Sequence, residues 1–258
     1  MFQYGGLYMY RKRVFLRFPA FLVVLGLAIL AGCDLNGDST ETFSDEEVIE
    51  MMAADLASEG GETATLNDIS NSPPVTGAFT LTVSRDGTYV DWERHYNLTI
   101  ANPTPGEYTI DGTVTGSADR PRIDSSFESA TDLTVTEWDE NGTLTVNGTV
   151  RRTGTINYES LVREATRATD ADVIYTYQNV VFQDDSEPAD SPATGGTLRA
   201  EGSFVHEADR VLGTRRIEWS GTVVFEFTPE GTTARVEGSS ASYTVNLSTA
   251  VDDDDLVE

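Results

Sequence analysis

From Ala78 onward, apolar and polar residues alternate with a period of two. Phe79, Leu81 and Val83 are separated by threonines, and Val90, Trp92, Tyr96, Leu98 and Ile100 continue the pattern. This is the signature of half-buried β-strands. Asp86-Gly87 offers a type I′ turn between the two runs. A two-residue loop there would set Val83 opposite Val90, Leu81 opposite Trp92 and Phe79 opposite Arg94, with one face dry throughout.

A nine-residue motif recurs at Gly106–Val114, Gly142–Val150 and Gly196–Phe204, with a fourth copy at Arg215–Val223 and a worn fifth around Gly238. Its odd positions are Gly or apolar and its even positions polar. The starts lie near multiples of eighteen residues apart, the length of a hairpin of two strands plus turns, so every second strand of a meander should carry the motif. The same spacing suits one turn of a β-solenoid. The Glu140-Asn141-Gly142-Thr143 turn, with matching parity on both sides, favours hairpins. Val173–Phe182 slips in parity near Asn179, which predicts a bulge or a strand buried on both faces. Leu161–Asp172 is open between loop, helical turn and strand, and Asp184–Thr194 reads as an acidic loop.

Only one stretch has a helical period. Ser44-Asp45-Glu46-Glu47 reads as a capping box, and Val48, Ile49, Met52 and Leu56 fall on one face before Gly60-Gly61. The polar face is acidic, so the helix should cover a sheet edge or barrel mouth rather than a membrane. The expected fold is all-β, an antiparallel up-and-down meander forming a curved sheet, barrel or sandwich, with one short N-terminal amphipathic helix. The boundaries are a helix at 44–59, a β domain at 75–250 and an acidic tail at 251–258.

Ahead of the helix lies a different kind of segment. Arg11, Lys12, Arg13 and Arg17 precede an apolar run from Phe18 to Ala31, too short to span a bilayer comfortably. Leu30-Ala31-Gly32-Cys33 follows, and Cys33 is the chain's one cysteine. This resembles the lipobox of bacterial lipoproteins: aliphatic, small, small, Cys. The resemblance covers only the leader. It implies a signal peptide at 1–32, lipidation of Cys33 as the first mature residue, a tether at 33–43 and a membrane partner through the lipid anchor. Multiple acyl chains would make that attachment effectively permanent. Lys12-Arg13-Val14-Phe15-Leu16-Arg17 also looks like a degenerate twin-arginine signal.

Charge narrows the partners. Net charge is −26, and beyond residue 32 every one of the remaining cations is Arg. Such a surface repels phosphate backbones, so no nucleic acid partner is expected. The acids are scattered and lack cation-ligand spacing, and Asp34–Asp38 only faintly resembles a calcium loop. No cofactor or metal is expected.

Candidate chemistry is sparse. Gly112, Gly148, Gly202 and Gly221 occupy position seven of the motif, on the dry face. They leave room for an apolar small-molecule ligand, or they permit sheet curvature with an aromatic such as Trp138 or Trp219 lying over them. Arg94, between Trp92 and Tyr96, is the one charge in a dry run. It would hold a ligand's anionic group or stack on Phe79 or Trp92. His95 should point to the wet face beside Asp91 and Glu93. His206 lies near Ser203 and Asp209, without the elbow or oxyanion features of a hydrolase. The functional expectation is a non-enzymatic binding or structural module of the envelope, then a carrier of an apolar ligand, and last a carboxylate-based hydrolase.

Overall fold

Alternation on this scale has one inexpensive outcome in water: strands that pair edge to edge and hide one face. A computed structural model of the chain describes residues 43–57, 76–85, 91–120, 123–137, 143–160, 165–182, 193–210, 213–245 and 247. The leader with Cys33, the tether up to residue 42, Gly60-Gly61, the Asp86-Gly87 and Glu140-Gly142 turns, Trp138, the acidic loop up to residue 192 and the acidic tail lie outside the described residues.

One helix, α1 (Asp45–Ala57), precedes ten strands: β1 (Gly77–Arg85), β2 (Asp91–Thr104), β3 (Glu107–Arg120), β4 (Ile123–Thr136), β5 (Leu144–Ser160), β6 (Ala165–Phe182), β7 (Ala193–Arg210), β8 (Gly213–Thr228), β9 (Gly231–Val236) and β10 (Tyr243–Val245). They form a single antiparallel sheet in strict sequence order, which is not closed into a barrel. The meander is therefore a curved open sheet rather than a sandwich or a solenoid.

Two sequence expectations need correcting. First, β1 pairs Val83 with Arg94, Leu81 with Tyr96 and Phe79 with Leu98. Each partner has moved by four residues along β2, so the connection is longer than a two-residue turn. A shift of an even number of residues preserves which face each side chain takes, so the pattern could not detect it. Second, the strands from β2 to β8 are 14 to 18 residues long, roughly 45–60 Å. The eighteen-residue interval is thus one long strand and its turn, not a hairpin. The motif falls on β3, β5 and β7 and then on the adjacent β8, and the two-strand alternation ends there.

Side chains on the inner face line up in rows across the sheet. One row runs Leu98, Gly112, Thr131, Val150, Tyr175, Ala200, Val223 and Val236. The parity slip near Asn179 is a bulge: Asn179 adopts φ 51°, and β6 shifts against β5 between Val146 and Gly148. Asn147 Oδ1 accepts the displaced Asn179 N–H at 2.9 Å, so the extra residue leaves no stranded donor. Residues 165–172, open in the sequence, form the first half of β6.

Helix α1 packs against the inner face, with its backbone nearest β9 and β10. The capping box is present: Ser44 N donates to Glu47 Oε2 at 2.8 Å, and Glu47 N returns a bond to Ser44 Oγ at 3.3 Å. More of the helix is buried than one stripe. Val48, Ile49, Met52 and Leu56 are joined in the core by Met51, Ala53 and the carboxylate of Asp55. A helix in the hollow of a curved sheet meets apolar surface on more than one side, which explains the wider stripe. The face is not dry throughout, however, because Leu81 on β1 is 36% exposed.

Candidate functional site

Each face of the sheet offers a site, and each follows from the same row geometry. On the inner face, Tyr96, Val114, Ser129, Arg152, Val173, Gly202 and Gly221 share one row, and Arg94, Gly116, Phe127, Gly154, Ala171, Phe204 and Trp219 share the next. Arg94 is buried and donates from Nη1 to the Tyr96 hydroxyl at 2.7 Å, its guanidinium carbon 5.8 Å from the Tyr96 ring centre. It therefore rides on Tyr96, which in turn meets Phe79 edge-on at 6.3 Å. Trp92 sits opposite Arg85 and Ala118 in the register, and its side chain lies outside the described residues.

The four motif glycines do not gather around Arg94. Gly112 lies opposite Leu98, Gly148 opposite Leu133 and Tyr177, and Gly202 pairs directly with Gly221, five strands along the sheet from Tyr96. At Gly112, Gly148 and Gly202 an added Cβ would approach the neighbouring strand's backbone within 2.2, 2.3 and 2.5 Å. Gly112 and Gly148 also hold φ of 146° and 120°, a region favouring glycine. At Gly221 an added Cβ would meet the Trp219 ring at 2.9 Å. Backbone and an aromatic ring thus fill these places, as sheet curvature requires. Gly116 is treated in the same way by the Phe127 ring.

Sequence reasoning missed a buried ion pair on this face. Arg152 Nε stands 3.2 Å from Asp55 Oδ1, with both side chains only 7% exposed. The Tyr175 hydroxyl donates to the other carboxylate oxygen, and the Arg152 guanidinium carbon lies 3.9 Å from the Phe127 ring centre. The available signal was Arg151-Arg152 itself: adjacent residues on a strand take opposite faces, so one arginine had to point inward. Asp55 likewise interrupts the apolar stripe three residues after Met52. His206 is buried with Nδ1 3.0 Å from Thr169 Oγ1. Ser203 lies on the opposite face, so the sheet separates it from His206.

On the outer face, two open troughs run across the strands. The larger, about 580 Å³, is walled by His95, Thr115, Ser126, Glu128, Thr153 and Asp170 and floored by the backbone row through Gly116 and Gly154. The smaller, about 440 Å³, has Arg151, Asp172, Glu201, Ser203 and Ser220 around the Gly202–Gly221 pair. Short hydroxyl side chains leave the pleated backbone accessible here. His95 is half exposed, with Nε2 3.2 Å from Glu93 Oε2 and Nδ1 3.1 Å from Thr82 Oγ1. Arg151 grips Asp172 with two bonds, at 3.1 and 2.7 Å. That hydrogen bonding holds the Asp172 carboxyl below its ordinary value, against a smaller opposing effect of burial.

Among the described residues, no group of three or more His, Cys, Asp or Glu is placed to hold a metal ion. Chemically, the outer troughs offer hydroxyl donors and acceptors, exposed backbone and carboxylates. No protein-family model, curated protein or solved structure matches this chain.

Proposed function

We propose that this chain is a lipid-anchored cell-envelope protein whose β domain is a non-enzymatic binding module, with the outer-face troughs as its contact surface. The observation that carries this reading is the pair of adjoining, hydroxyl- and carboxylate-walled troughs that cross the strands from β2 to β8. Their chemistry suits a polar ligand that is neutral or cationic, since the chain's charge of −26 opposes polyanions. The anchor rests on the basic and apolar leader ending in Leu30-Ala31-Gly32-Cys33.

Two experiments test it. Intact-mass measurement of membrane-extracted protein should find acyl chains on the wild type and none on Cys33→Ser, which should leave the membrane fraction. An unmodified Cys33 in the mature chain removes the anchor. Equilibrium binding to a panel of neutral oligosaccharides and Arg-rich peptides should yield a ligand that Thr153→Arg, which fills the larger trough, weakens at least about tenfold, or roughly 1.4 kcal/mol. Binding unaffected by that substitution would move the contact surface elsewhere.

A second reading is a carrier of an apolar ligand on the inner face. It draws on Phe127, Ile156 and Trp219, which are only partly buried. Native mass spectrometry of the purified protein should then show a co-purifying lipid. Its absence, with no change in Trp emission on adding a fatty acid, counts against the carrier.

A further inference from the structure

An open sheet has two edges, and the two are treated differently here. β10 is three residues long, and brevity is a common way to blunt an edge. β1 is nine residues long and pairs with β2 without a bulge. It contains no proline, no lysine and no acid. Among the strands of nine or more residues it alone lacks a carboxylate, in a chain with 43 of them. Ala78, Thr80, Leu81 and Thr82 are exposed, and Leu81 is one of only two large apolar side chains exposed among the described residues.

We infer that β1 is a self-pairing edge through which two copies of this chain join their sheets about a two-fold axis. The strand Gly77-Ala-Phe-Thr-Leu-Thr-Val-Ser-Arg85 matches its own reverse about Leu81. Antiparallel pairing centred there sets Leu81 against Leu81, Phe79 against Val83 and Thr80 against Thr82. Apolar positions then meet on one face and hydroxyls on the other, both favourable cross-strand pairs. The axis is also the one long edge where two strongly acidic molecules approach without opposing carboxylates. A two-fold interface must be self-complementary in this way.

The test uses the full chain in mild detergent, with molar mass followed by light scattering and sedimentation across a dilution series. Wild type should show a two-chain mass, and added salt should strengthen the association by screening the net charge. Leu81→Asp places two carboxylates on the axis and should give a one-chain mass with unchanged far-UV circular dichroism, since the side chain it replaces is exposed. In a Cys33→Ser background, Leu81→Cys should cross-link into a disulfide dimer on mild oxidation, because directly opposed residues lie about 4.5–5.5 Å apart. Ile174→Cys, exposed but on central β6, should not. A wild type of one-chain mass in both low and high salt overturns the inference. So does a two-chain mass that survives Leu81→Asp, or a one-chain wild type that binds a synthetic Gly77–Arg85 peptide, which would assign the edge to a foreign strand.

Discussion

Replacing Asp55 with Asn should loosen α1 from the sheet more than any other single polar change in the core. The substitution keeps the side chain's shape and one oxygen to accept the Tyr175 hydroxyl, and replaces the oxygen facing Arg152 with an amide NH2 that neither carries the charge nor accepts from the guanidinium. At 3.2 Å and an effective dielectric constant near 20, the pair's attraction is about 5 kcal/mol. Desolvation of both groups offsets most of that in the intact protein, so the pair adds little net stability. Breaking it is another matter, because the guanidinium stays buried over the Phe127 ring after the carboxylate facing it has gone. Loss of one partner of a buried pair costs about 3–5 kcal/mol, and the cation–π contact, already present in the intact protein, does not offset it. Urea unfolding should show Asp55→Asn destabilised by roughly 3–5 kcal/mol. The triple variant Asp55→Leu, Arg152→Met, Tyr175→Phe removes the charges and the hydroxyl together and should regain most of that loss. A single variant within about 1 kcal/mol of wild type, or a triple variant less stable than Asp55→Asn, would refute the reasoning.

Gly148→Ala would bring a methyl within 2.3 Å of the Asp132 carbonyl oxygen at φ 120°, and should lose about 2–4 kcal/mol in chemical denaturation. Gly221→Ala meets a ring that can turn, and should lose distinctly less; equal losses would mean that backbone crowding is not the cause. Ser44→Ala removes the N-cap bond to Glu47 N and should lower stability by about 1 kcal/mol, with no loss expected if α1 were held by packing alone. The Asp172 carboxyl is lowered in the folded state chiefly by its bonds to Arg151. Its small stabilising contribution is therefore present above the ordinary carboxylate range, about pH 4, and is lost as pH falls through the lowered value. A carboxyl NMR titration should place the Asp172 midpoint below that range in wild type and higher in Arg151→Gln, and an unmoved midpoint would remove the pairing as the cause.

Period-two alternation determined that the chain is an antiparallel sheet with one buried face, because strand side chains must alternate. The Ser44-x-x-Glu47 spacing fixed where α1 begins, and the parity slip at Asn179 located the bulge, since both are local rules satisfied by neighbours in sequence. Parity also assigned His95 to the outer face. Strand length and hairpin register were not legible: a four-residue shift, like any even one, keeps every side chain on its face, so Val83 opposite Val90 and Val83 opposite Arg94 look alike in the sequence. Only the folded sheet decided what fills the space above the motif glycines, because the answer at Gly148 is the backbone of β4, 15 residues back along the chain. The union of Asp55 with Arg152 and Tyr175 joins residues up to 120 positions apart, and no periodicity encodes a contact between a helix and the sheet that curves around it.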